Sequence, residues 1–154
     1  MPESEEFKLL IEKTPYEVLL AGFPCQTFSR AGLEEGFGNK DKGSIFFHIV
    51  EIIKRTRPKG LFLENVDHLI THKKGNTFKQ IINLLEDDLD YKTIGVRYKD
   101  DKLSKYYAPR SFIRNSKKFE IPQNRPRTYI IGFDRTRYKG SLNLIANQLP
   151  NGGL

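Results

Sequence analysis

Residues 17–25 read Glu-Val-Leu-Leu-Ala-Gly-Phe-Pro-Cys: a short apolar run, a glycine, a proline, and the only cysteine in the chain. A continuous apolar run of that length, stopped by Gly22 and Pro24, predicts a buried strand of the kind found in parallel sheets. Outward from it, strands and helices alternate. Ser44 is placed to cap a helix reaching about Thr56, with Ile45, Ile49, Ile52 and Ile53 at helical spacing. Arg57-Pro58-Lys59-Gly60 ends that helix, and Leu61-Phe62-Leu63 forms a second buried strand. Asn76 or Thr77 caps another helix, with Phe78, Ile81, Ile82 and Leu85 on its inner face. Thr93-Ile94-Gly95-Val96 reads as a third strand and Thr128 to Phe133 as a fourth. The expected class is α/β with a mainly parallel sheet.

The 154 residues suit one domain with a sizeable core. No apolar stretch approaches the ~18 residues needed to span a bilayer. The acidic N-terminus, MPESEEFKLL, has no signal-peptide pattern. A lone cysteine forms no internal disulfide, so the expected location is cytoplasmic. Charge is uneven: residues 1–96 hold 13 Lys/Arg against 15 Asp/Glu, a net of −2, and residues 97–154 hold 13 against 4, a net of +9. A basic half fits a polyanion partner, most often nucleic acid, although a solvated basic surface satisfies the same numbers. Residues 97–118 are basic, tyrosine-bearing and aperiodic, and read as an excursion from the sheet. The end, Pro150-Asn151-Gly152-Gly153-Leu154, reads as a loop leading onward.

Ligands of parallel sheets sit at the carboxyl ends of the strands. Three polar groups fall there: Cys25 after the first strand, Glu64-Asn65 after the second, and Gln123-Asn124-Arg125-Pro126-Arg127 before the fourth. The third joins the others only if the fourth strand runs antiparallel. Cys25, on a loop stiffened by Pro24, is presented as a nucleophile would be; an inert buried thiol is the plainer reading. Glu64 at a strand mouth can donate a proton, or be a solvated helix-start carboxylate. Arg125 and Arg127 alternate, so both can face one side and grip a phosphate or base oxygen, or form a structural ion pair. His68 and His72 lie four apart, but neither they nor His48 have a third metal ligand in view, so no metal is expected. Tyr98, Tyr106 and Tyr107 can stack on bases or anchor the excursion.

Four segments in this order resemble the cytosine-C5 DNA methyltransferase family. Ala-Gly-Phe-Pro-Cys-Gln-Thr-Phe-Ser-Arg-Ala-Gly, 21–32, resembles its catalytic Pro-Cys loop, and Lys42-Gly43-Ser44-Ile45-Phe46-Phe47 the start of the next helix. Residues 58–66, ending Glu-Asn-Val, resemble its Glu-Asn-Val motif, and Ile121 to Phe133 its Gln-x-Arg-x-Arg motif. Together they cover roughly residues 17–133. The resemblance implies a partial Rossmann-like fold with an antiparallel last strand, duplex DNA as substrate, and S-adenosylmethionine as methyl donor. It implies that Cys25 adds to C6 of a flipped cytosine, that Glu64 bonds N3 and the exocyclic amine, that Arg127 contacts O2, and that Arg125 lies near the phosphate. It also places Pro24, Ser44 and Ile45 at the cofactor, and Gln26, Ser29, Asn65 and Gln123 at the substrate.

The departures are as informative. Only 21 residues precede Gly22, and none is the glycine-rich cofactor motif with which the family begins. The residues after Phe133 in this sequence leave no room for the family's target-recognition domain. Glu120 stands where the family usually has glycine, and 97–118 exceeds the usual link. Residues 1–154 are therefore expected to form a partial catalytic domain, inactive alone and working with a complementary methyltransferase segment or subunit. A non-catalytic nucleic-acid-binding module on the same scaffold, and a tRNA-modifying enzyme sharing these motifs, are the competing readings.

Overall fold

The computed structural model describes Glu5 and residues 16–24, 45–98 and 105–138. Within them, the apolar run at the start becomes strand β1 (Val18–Gly22) and pairs in parallel with β2 (Gly60–Val66), in register from Val18↔Gly60 to Gly22↔Glu64. Between them, helix α1 (Ile45–Thr56) makes the crossover. Its buried residues, Phe46, Ile49, Val50 and Ile53, follow the helical spacing seen in the sequence. The Ser44 cap lies outside the described residues.

After β2 the chain makes two 3₁₀ turns and enters α2 (Asn76–Asn83), which continues into a π-helical turn, Leu84–Asp88. Phe78, Ile81, Ile82 and Leu85 are all buried, as expected. The cap differs: Gly75, with φ 84°, precedes the helix, and neither Asn76 nor Thr77 caps it. Gly75 reaches that left-handed conformation without a Cβ penalty. The Thr77 hydroxyl meets Nδ1 of His72 instead, at 2.7 Å.

The remaining strands are β3 (Tyr91–Thr93), β4 (Arg97–Tyr98), β5 (Lys105–Tyr106), β6 (Ile113–Asn115) and β7 (Pro126–Asp134). β3 begins earlier than the sequence suggests. Ile94 N still donates to Ile131 O at 2.8 Å, but Gly95, at φ 91°, then turns the chain away. β7 lies inside the sheet, antiparallel to β2 on one side and to both β3 and β6 on the other. Four strands thus run one way and β7 alone runs against them. The basic excursion leaves the sheet after β3, forms the β4–β5 hairpin, and returns to the same edge of β7 as β6.

The two sheet faces differ. Leu61, Leu63 and Ile130 point to the face packed with α1 and α2 and are fully buried. On the other face Leu20 is 71 % and Val18 52 % exposed, so β1 is covered on one side only among the described residues. The same face carries Phe62 and Tyr129, rings 5.3 Å apart, and Glu64. A buried carboxylate staples the far end: Glu86, in the π-helical turn, accepts from Thr93 N at 2.6 Å and from Tyr98 OH and Arg135. Arg57 Nη2 meets buried Asp134 at 2.9 Å.

Candidate active site

Glu64 lies inside β2, not beyond it, two positions from the strand's end. Its neighbours across the sheet are Gly22 on β1 and Tyr129 on β7. Gly22 matters by absence: a Cβ there would sit 3.4 Å from Oε2 of Glu64, in contact with the carboxylate. Side chains two apart on a strand share a face, which brings Arg127 beside Tyr129. Arg127 Nε stands 3.0 Å from Glu64 Oε1, and Arg125 Nη1 approaches the same oxygen at 3.8 Å. The alternation of the two arginines therefore does turn both toward one side, and the antiparallel course of β7 delivers them to the rim where β1 and β2 end. The carboxylate stays partly open, its side chain 30 % exposed, so it is available to a ligand and already oriented by a guanidinium.

The loop that follows β1 is tied to this centre. Phe23 N donates to the carbonyl of Glu64 at 3.3 Å. Asn65 is 2 % exposed, and its Nδ2 donates to the Phe23 carbonyl at 2.7 Å. Its Oδ1 accepts from Val66 N at 2.8 Å. Asn65 thus faces away from Glu64, toward the covered side of the sheet, and holds the backbone leading to Pro24; it does not stand among the groups a substrate would meet. Sequence spacing alone carries that signal, since adjacent strand residues face opposite ways. Phe23 also packs on Phe46 of α1, ring centroids 5.0 Å apart. Pro24 and Ile45, the sequence neighbours of these two rings, are both exposed.

Of the other expected site residues, Gln123 is exposed on the loop before β7, where its backbone carbonyl accepts from Ser116 Oγ. Cys25, Gln26, Ser29 and Ser44 lie outside the described residues. No group of three His, Cys, Asp or Glu placed to hold a metal occurs among the described residues. His68 Nδ1 meets Thr71 Oγ1 at 2.9 Å and His72 bonds Thr77, while His48 is exposed. Tyr107 packs against Phe78 and Phe112, and Tyr98 lies under Lys92 Nζ at 3.9 Å, so both are anchors. Tyr106 is exposed. Among the described residues no helix is long and apolar enough to cross a membrane.

A strand-end loop, a carboxylate and two arginines gathered at one rim of an α/β sheet define a family when matched to known proteins. Residues 3–152 match the C-5 cytosine-specific DNA methylase family, and the chain belongs to it. It is 43 % identical over 132 residues to the type II methyltransferase M.HpaII of Haemophilus parainfluenzae, covering 86 % of this chain and 32 % of that protein. It is 46 % identical over 122 residues to M.HgiCI of Herpetosiphon aurantiacus, covering 79 % of this chain and 24 % of that one. The chain therefore spans about a quarter to a third of the length of these curated relatives. A crystal structure described as a DNA modification methyltransferase encoded within an E. coli prophage superposes with a TM-score of 0.54 at 18 % identity, covering 86 % of this chain and 31 % of that one. At that identity the likeness speaks for the fold, which is the expected methyltransferase scaffold.

Proposed function

We propose that residues 1–154 form a partial catalytic domain of a DNA cytosine-C5 methyltransferase of the restriction–modification type. The observation that carries this is the Glu64–Arg127 pair, 3.0 Å apart at the rim where β1 hands the chain to Pro24 and Cys25. Cytosine C5 is a weak nucleophile, so the ring must be activated by addition at C6. The Cys25 thiolate adds there, and negative charge develops on the ring toward N3 and O2. Glu64 meets N3 and the exocyclic amine, and a proton passed to N3 relieves that charge. Arg127 stabilises O2, and Arg125, the more exposed of the two, faces the phosphate. Once C5 carries the methyl group, its proton leaves to a base, the C5–C6 double bond re-forms as the C6–S bond breaks, and N3 returns its proton to Glu64, restoring the thiolate and the acid. A stacked base presents neither C6 nor N3 to such a rim, so the cytosine must be flipped out of the duplex.

The methyl donor of this reading is S-adenosylmethionine, which supplies an electrophilic methyl group when bound. Pro24 and Ile45, both exposed and next in sequence to the packed Phe23 and Phe46 rings, fit one wall of its site, with Ser44 beside them in the sequence. Cofactor binding and activity are expected to need a complementary methyltransferase segment or subunit. The test is a chimera in which residues 17–133 replace the matching segment of M.HpaII. It should methylate duplex DNA at C5, Cys25→Ser should abolish transfer, and Glu64→Gln should lower the rate roughly 10²–10³-fold. Transfer that survives Cys25→Ser overturns the mechanism; DNA binding without transfer indicates a binding module, and preference for tRNA an RNA substrate.

A further inference from the structure

The loop that joins β6 to β7 is built unlike an ordinary surface connection. It begins with a 3₁₀ turn, Ser116–Phe119, and Asn115 serves as its hub. Asn115 Oδ1 accepts from Lys117 N at 3.1 Å and from Arg125 N at 3.2 Å, and its Nδ2 donates to Asn124 Oδ1 at 2.7 Å. Ser116 Oγ donates to the Gln123 carbonyl, and Ser116 N to the Arg125 carbonyl at 3.4 Å. Both feet of the loop are thus bonded to each other, and one foot, Arg125, reaches Glu64. The loop is a fixed projection at the edge of the candidate active site.

Its outer surface is unusual too. Residues 117–125 are all exposed. Lys117 and Lys118 form no ion pair among the described residues, and Phe119 and Ile121 are 46 % and 49 % exposed. Between 105 and 127 there are seven Lys/Arg and one carboxylate, Glu120. Glu120 sits at φ 61°, in the left-handed region that disfavours a side chain. Exposed cations on a braced loop, beside bare apolar side chains, match a surface that alternates charge and hydrocarbon. A nucleic-acid backbone does so, with phosphates separated by sugar faces.

We infer that this loop is a DNA-backbone contact: Lys117, Lys118 and Arg125 take phosphates flanking the target base, and Phe119 and Ile121 rest on deoxyribose. The inference rests on the DNA-methyltransferase reading and adds to it a surface outside the reacting groups. Duplex DNA is favoured over a protein partner because the loop's charge is predominantly positive, with Glu120 its one carboxylate, and is carried on a backbone braced by Asn115. Two kinds of contact give two signatures. Phosphate contacts release counterions and so steepen the salt dependence, by roughly 0.9 in log–log slope for each phosphate neutralised. Apolar contacts leave that slope alone.

The experiment is fluorescence anisotropy of the full chain with a labelled 20-base-pair duplex across a salt series. The doubly substituted Lys117→Gln/Lys118→Gln chain should show a slope shallower by roughly 1 to 2 and about tenfold weaker binding at low salt. Phe119→Ser should weaken binding severalfold with the slope unchanged, and Glu120→Gln should tighten it. All of these side chains are exposed, so thermal melting of each variant should match the parent. Slopes and affinities that match the parent in the lysine variant overturn the inference, as does parent binding that is absent or stronger for tRNA than for duplex. Methyl transfer by the chimera decides the DNA-methyltransferase reading separately, so the two can fail independently.

Discussion

Asn65 shows how one side chain can serve a site without facing it. It occupies the middle of a three-residue segment whose first member, Glu64, points to the open side of the sheet, and the pleat turns it the other way. Burial then obliges its amide to be satisfied, and the Phe23 carbonyl and Val66 amide supply the partners. Removing that amide takes away two hydrogen bonds, one to the Phe23 carbonyl and one from the Val66 amide, at a buried position. Asn65→Ala is therefore expected to destabilise the chain by about 1–3 kcal/mol, read from urea unfolding. Glu64→Gln, half-exposed and on the other face, should change stability far less. Glu120 is the converse case. A non-glycine residue at φ 61° marks a position built for glycine, which explains why the resemblance anticipates glycine there.

At the scale of elements, the join between α1 and the sheet is set by Tyr91. It opens β3, is fully buried, and its hydroxyl donates to the Pro58 carbonyl at 2.6 Å, where α1 hands over to β2. Burial raises its ionisation to about 12, against the pull of nearby Arg57. The unfolded value is about 10. The folded state thus holds this proton more tightly, and its contribution is full below pH ~10 and is lost as pH rises toward 12. Urea midpoints measured from pH 9 to 12 should fall steeply in the parent. Tyr91→Phe should fall less over the same window, from a starting point lower by about 1 kcal/mol for the lost hydrogen bond. Parallel profiles for the two would refute this account of the join. The same strand receives the Glu86 staple, so the π-helical turn and the excursion hairpin are both referred to β3.

Across the whole molecule the dominant feature is a sheet covered on one face among the described residues. Parallel pairs such as β1–β2 are usually buried on both faces, and the continuous apolar run in β1 has the composition of such a strand. The exposure of Val18 and Leu20 departs from it. The physical reason is coverage: α1 and α2 both lie on the side of Leu61, Leu63 and Ile130. Substitutions on the two faces should differ accordingly. Leu61→Ala should cost about 2–5 kcal/mol, whereas Leu20→Ser should stay within about 0.5 kcal/mol, both measured by chemical unfolding of this chain. Charge is also segregated at this scale: the β6–β7 loop sets Lys117, Lys118 and Arg125 at the edge of the candidate active site, while the β4–β5 hairpin is tied to the Glu86 end of the sheet.

The local elements were legible from sequence because their causes are local. Apolar runs stopped by glycine and proline marked β1 and β2, and helical spacing marked α1 and the buried side of α2. The polar groups at the strand mouths were legible for the same reason. The placement of β7 between β2 and β3 was decided only in three dimensions, because its pairing with β2 joins residues sixty or more positions apart, as in Glu64↔Tyr129. Register decided the rest: a slip of one residue would turn Arg125 and Arg127 to the covered face and leave Glu64 without them. The burial of only one face of β1 was likewise settled by which helices lie against the sheet, a long-range packing outcome that no local pattern encodes.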